Sequence, residues 1–153
     1  MRIDQYGIRT RLTVAGVPVK LEIVREGRIS LDDPGPADEV LGIATATVGD
    51  LVATKPLANS DRWMDPSVFS RDIIDLAMVR PNRTTLATSL HKAAMAYGTS
   101  VFDDAQSAIT ALLDRDRAID RCRQALDMTE PRAVIVHRLR RLAASLTAIG
   151  NLP

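Results

Sequence analysis

The chain has 153 residues, 46% hydrophobic and 25% charged, enough for one core that buries about two-thirds of the unfolded surface. A formal net charge of +1 excludes global steering towards nucleic acid or membrane, and a single Cys122 excludes an internal disulfide or a cysteine-rich metal site and fits a reducing cytoplasm. Aromatics make up 3%, no run of about 18 apolar residues occurs, and "MRIDQYGIRTR" lacks the apolar core of a signal peptide, so a helix-packed cytoplasmic protein is expected.

In chain order, Tyr6, Ile8, Leu12 and Val14 alternate with Arg9, Arg11 and Thr13, "AGVP" punctuates, and Val17, Val19, Leu21 and Ile23 alternate with Lys20 and Glu22. This period of two predicts a β-hairpin with Val19, Leu21 and Ile23 buried. "REGR" (25–28) is a bulge or second turn leading to a short strand, and "LDDPGPADE" (31–39) is a loop. A two-stranded hairpin is marginal alone, so it must pack on helices or pair with something else.

From there the texture is helical. Thr47-Val-Gly-Asp50 resembles a capping box that opens the first helix. Asp65-Pro66 predicts a helix running to about Val79 and stopping before Pro81. A third helix fits about 84–97, with Leu86 and Leu90 inward and Gly98 as its stop. A long segment follows Ser100, in which the charged "DRDR" at 114–117 is a candidate break. The last helix begins at Glu130-Pro131, and its seam of Ile135, Leu139, Leu142, Leu146 and Ile149 has bundle spacing. The fold class is therefore α+β, predominantly helical: an N-terminal hairpin, then about five helices forming a bundle.

Three features carry candidate chemistry. The stripe 48, 51, 52 and 55 ends in Lys55, either snorkelling from a rim or held for an anionic ligand, with Pro56 predicting a kink beside it. Asp72 and Asp75 share one face of the next helix, as a solvated side near the helix N-terminus or as a site, and Arg71 beside them is placed to pair with an acid. Glu22 shares the exposed strand face with Lys20 and Val24. Residues 115–141 carry eight arginines, including Arg138, Arg140 and Arg141. With the apolar seam they support a second reading, a non-enzymatic helical interaction module binding a protein partner or structured RNA.

The order "VKLEIV", "DLVATKPLANSDRW", "SRDIIDLAM" resembles the C-terminal half of the nucleotidyl transferase AbiEii/AbiGii toxin family, within the polymerase-β-like nucleotidyltransferases. The similarity spans about residues 8–80, with "AAMAYGTSVFDDA" and the later helices resembling the helical region of some relatives less distinctively. It implies a nucleotidyltransferase-like domain portion over 1–80 and a helical bundle region over 81–153 packed on it. On site residues it implies Glu22 as a metal-binding carboxylate, Lys55, Asp72 and Asp75 as catalytic, and Arg62 and Arg71 as substrate-binding. It also implies Mg²⁺, an NTP, an RNA acceptor such as tRNA, an antitoxin, a homodimer or partner chain completing the sheet, and no membrane. The family places its Gly-Ser and its Asp-x-Asp metal pair ahead of the matching stretch. Here the one Asp-x-Asp is Asp114-Arg115-Asp116, outside any strand pattern. The expectation is thus a truncated member whose transfer activity needs the missing N-terminal half.

Overall fold

The computed structural model describes residues 1–150, and these form an α+β chain with a three-stranded antiparallel sheet followed by six helices. Met1–Ser30 is one compact unit and the chain from Leu31 onward is another.

The sheet has the order β1 (Arg2–Asp4), β2 (Gly7–Val14), β3 (Val17–Val24). The expected hairpin is β2–β3, turning at Ala15 and Gly16 with φ of 48° and 81°, the pair of positive values a two-residue type I′ turn needs. At Gly7 a Cβ would lie 2.0 Å from the Ile23 carbonyl oxygen, so glycine alone permits this approach of the two strands. The third strand lies on the N-terminal side rather than after "REGR". Asp4 closes the β1–β2 turn, accepting from the Tyr6 N–H at 2.9 Å and from the Arg9 guanidinium at 3.1 Å. Residues 26–28 make a local turn instead, where the Arg28 N–H donates to the Glu26 carboxylate at 2.8 Å.

Pairing puts Ile3, Ile8, Leu12, Val19, Leu21 and Ile23 on one face. Val19, Leu21 and Ile23, expected to be buried, are exposed. The physical reason is that this unit consists of strands and turns, with no second layer of its own for an apolar face to cover.

In the second unit, β4 (Glu39–Val40) and β5 (Ile43–Ala44) form a small hairpin where only a loop and helices were expected; Leu41 and Gly42 supply its two positive φ values, 54° and 79°. Helix α1 (Val48–Arg62) starts at Thr47, whose hydroxyl accepts from the Asp50 N–H at 3.1 Å, and it continues through Pro56. The single helix expected from Asp65 to Val79 divides. Asp65 caps a 3-10 turn, Pro66–Val68, then Phe69 and Ser70 both take φ of 52°, and α2 (Arg71–Val79) restarts. Two left-handed residues cost about 1–2 kcal/mol each. The redirected α2 buries Ile73, Ile74 and Leu76, each contributing about 1.5–3 kcal/mol, so burial outweighs the strain.

Helix α3 (Arg83–Tyr97) is capped by Asn82, whose side chain accepts from the Thr85 N–H at 2.8 Å, and ends where the Gly98 N–H reaches the Ala94 carbonyl. The charged "DRDR" does break the next segment, into α4 (Ser100–Asp114) and α5 (Ala118–Ala125), which raises the helix number from five to six. Helix α6 (Arg132–Gly150) packs against α2, α4 and α5. Its seam, Ile135, Leu139, Leu142, Leu146 and Ile149, is buried in the core, so it is not an open face for a partner. Among the described residues no helix is long and apolar enough to cross a membrane.

Candidate functional site

Four of the residues singled out in the sequence meet across α1 and α2. Lys55 and Arg62, two turns apart on α1, face Asp75 and Asp72, one turn apart on α2. The Lys55 ammonium lies 2.5 Å from Asp75 Oδ2. Arg62 grips Asp72 with both prongs of its guanidinium, Nε to Oδ2 at 2.8 Å and Nη2 to Oδ1 at 2.9 Å. The stripe that had placed Lys55 among apolar neighbours is not the core face of α1. Val48 and Leu51 are exposed, while Val52, Ala53, Pro56 and Leu57 are buried. Lys55 sits on the edge between the two surfaces, its side chain 23% exposed against 46% for Asp75.

The two pairs differ in environment. Asp72 is 6% exposed at its side chain and Arg62 33%, so the inner pair is a brace locking α1 to α2. The hydrogen bonds that Arg62 donates to Asp72 raise the Arg62 pKa against the opposing effect of burial, with the charge of Asp72 adding to them. The outer pair is half-open, and the second oxygen of Asp75 is not used by Lys55. Asp72 is therefore not on the solvated helix side that charge alone would suggest. Arg71 is exposed and makes no ion pair with an acid among the described residues. Glu22 belongs to the other unit, where Lys20 approaches it to 2.9 Å and Arg9, its cross-strand neighbour, to 3.4 Å.

This donor set does not fit Mg²⁺. Octahedral coordination needs carboxylate oxygens free to face the ion, yet both Asp72 oxygens accept from Arg62 and one Asp75 oxygen is held by Lys55. Among the described residues no group of three or more His, Cys, Asp or Glu side chains is arranged to hold a metal. Asp114 and Asp116 are exposed at the break between α4 and α5, not on a strand.

A second charged constellation has no counterpart in the sequence reading. Asp50 is 1% exposed, and its carboxylate does not accept from the Thr47 backbone N–H as a capping box requires. Its carboxylate instead accepts from Lys92 of α3 at 2.5 Å and from the Asp32 N–H at 2.7 Å. Lys92 also reaches the Asp32 carboxylate at 3.1 Å. Burial alone would push the Asp50 carboxyl up, but Lys92, the Asp32 amide and Thr47 together outweigh it and hold the group below the usual carboxylate range. The hydrogen bond to Asp50 in turn raises the Lys92 pKa. This triad ties the loop before β4 to α1 and α3. The signal for it was an acid three residues after a cap; its partner lies 42 positions further on.

A family match covers residues 2–144, to the nucleotidyl transferase AbiEii toxin of type IV toxin–antitoxin systems. The match runs through the helices after residue 80 as well as through the motif-bearing stretch. No curated protein matches the chain, and no solved structure does. The chain belongs to the nucleotidyl transferase AbiEii toxin family.

Proposed function

We propose that this chain carries the cationic part of a nucleotidyl-transfer site, moving a nucleotidyl group from an NTP to a hydroxyl of an RNA acceptor such as tRNA once a segment bearing Gly-Ser and Asp-x-Asp completes the site. In the transfer, the acceptor oxygen bonds the α-phosphorus as the bond to the β-phosphate breaks and pyrophosphate leaves. Lys55 is the phosphate-facing cation. Asp75 orients it until the triphosphate takes over the contact, and the Arg62–Asp72 brace fixes the distance between the helices that carry them. Arg71, exposed at the start of α2, is a second contact for the substrate. Glu22, to which the resemblance gives a metal role, is engaged by Lys20 and Arg9 within the sheet unit, so the Mg²⁺ set in this reading is supplied by the completing segment. In this reading residues 1–80 are the C-terminal half of the transferase domain and 81–153 the helical region that follows it. The exposed apolar face of the sheet is where the completing chain, or a second copy, packs, and an antitoxin is the regulatory partner.

What supports this reading is the contact between Lys55 and Asp75, an ion pair left half-open where the neighbouring pair is closed. A positioned cation against developing phosphate charge is the largest contribution a protein makes to such a reaction. The alternative of a helical module offering its α6 seam to a partner loses its surface, because that seam is in the core.

The test is an ATP analogue with an aldehyde at its phosphate end, which marks phosphate-facing lysines. The chain has three lysines, Lys20, Lys55 and Lys92, so peptide mapping assigns the mark without ambiguity. With the chain reconstituted on an N-terminal segment of another AbiEii-family protein, Lys55 is marked first and excess ATP protects it. Marking that follows exposure, with Lys20 leading and ATP giving no protection, overturns the proposal.

A further inference from the structure

A cavity of about 460 Å³ lies between the turn joining α2 to α3 and the outer face of α6. Its walls carry Arg80, Arg138, Arg141 and His137 over an apolar floor that includes Leu86 and Leu142. None of the described residues lining it is acidic. That composition is unlike the cation sites elsewhere in this unit, where Lys55, Arg62 and Lys92 each rest on an aspartate.

The chain places these guanidiniums by local rules. Pro81 disfavours the right-handed helical region at Arg80, which takes φ of 55° and ends α2 with its side chain at the cavity. Arg138 and Arg141 are one turn apart on α6 and so lie side by side. The Arg138 Nη1 rests 3.2 Å from the sulfur of Met78, a weak acceptor that neutralises nothing. Arg80 and Arg141 make no ion pair among the described residues. Asn82, the cap of the fifteen-residue α3, also lines the cavity, so the positive end of that helix opens on the same space.

Three like charges in one cleft with a helix N-terminus repel one another unless an anion joins them. The guanidinium fork matches the oxygens of a phosphoryl group, and a cleft with low-dielectric walls concentrates the field. We infer that this cavity is a binding pocket for a multiply charged phosphate, whether a free polyphosphate or the phosphodiester backbone of an RNA. Arg80 is five residues beyond Asp75, about 7 Å along the helix, and none of Lys55, Arg62, Arg71, Asp72 and Asp75 lines the cavity, so the pocket is distinct from the α1–α2 site and does not rest on the reading given to that site.

The test uses the purified full chain with two probes at low salt, inorganic tripolyphosphate by calorimetry and a fluorescent RNA hairpin by anisotropy. Arg80→Gln and Arg141→Gln alter exposed side chains, and Arg140→Gln, on the same helix but outside the cavity, is the control; circular dichroism checks that all remain folded. Each pocket variant weakens binding about tenfold, the size of one charge-assisted contact, while the control changes it less than about twofold. Loss confined to tripolyphosphate supports the pocket and assigns it to free polyphosphate. Loss confined to RNA, with a shallower salt dependence, supports it and assigns it to the backbone. Binding of neither probe by the unaltered chain, or equal loss in Arg140→Gln and Arg141→Gln, overturns the inference.

Discussion

The brace between Arg62 and Asp72 predicts an asymmetry between its two halves. Removing one member of a buried ion pair costs about 3–5 kcal/mol, because the survivor is left without its counter-charge. Arg62→Ala leaves Asp72, 6% exposed and enclosed by α1 and α2, with two empty acceptor oxygens, and falls in that full range. Asp72→Ala leaves a guanidinium that is 33% exposed and able to swing into water, so its cost falls to about 2–3 kcal/mol, including the favourable dipole position of Asp72 in the first turn of α2. The assay is urea unfolding of each single variant and of the double variant, followed by the fluorescence of Trp63, the single tryptophan, next to Arg62. A coupling of about 2 kcal/mol is expected, with the double variant little worse than Arg62→Ala alone. Asp72→Ala more destabilising than Arg62→Ala, or a coupling below about 0.5 kcal/mol, refutes the brace.

The Asp50–Lys92 pair predicts a pH dependence with a defined sign. Because the folded Asp50 carboxyl titrates below its ordinary value, its contribution is present above the unfolded value and is lost as pH falls through the folded one; Lys92, raised, contributes below its unfolded value and loses that as pH rises through the folded one. Asp50→Asn lowers neutral-pH stability by about 3 kcal/mol, or about 6–12 °C in Tm, and flattens the acid limb of a stability–pH curve. Leu139→Ala, in the buried α6 seam, costs about 2–5 kcal/mol in urea unfolding at every protein concentration, whereas a seam serving a partner interface would show a concentration-dependent loss. Burial raises the Cys122 thiol, so a thiol reagent at neutral pH reacts with it slowly in the folded chain and rapidly in denaturant; equal rates contradict its placement.

What the sequence made legible follows the range of each interaction. The α6 seam, the Gly98 stop and the β2–β3 hairpin rest on spacing or on turn residues within a few positions, and the structure has all three. Strand β1, three residues long, is too short to display a period. The division at Phe69 and Ser70 was hidden because left-handed conformation there has no glycine to announce it. Burial of β3 was mis-assigned because alternation tells which residues share a face but not whether another layer covers it. Among the site residues, helical spacing left Asp72 and Asp75 open between a wet face and a site. Their pairing with Arg62 and Lys55 spans 10 and 20 positions, beyond any local pattern, and the family motifs set these residues in order without saying which pairs with which. Lys92 and Arg80 carry no local pattern at all, and the fold alone brings them to Asp50 and to the cationic cavity.

Whether Lys55 works on a nucleotide is measured most directly by transfer of label. The chain, reconstituted with a Gly-Ser and Asp-x-Asp segment and given Mg²⁺, tRNA and NTPs labelled at the α-phosphate, is predicted to place label in the RNA, and Lys55→Ala to lower the rate by about 100-fold or more at unchanged stability. Label transfer that proceeds equally with Lys55→Ala, or no transfer by a folded reconstituted assembly with any of the four NTPs, contradicts the account.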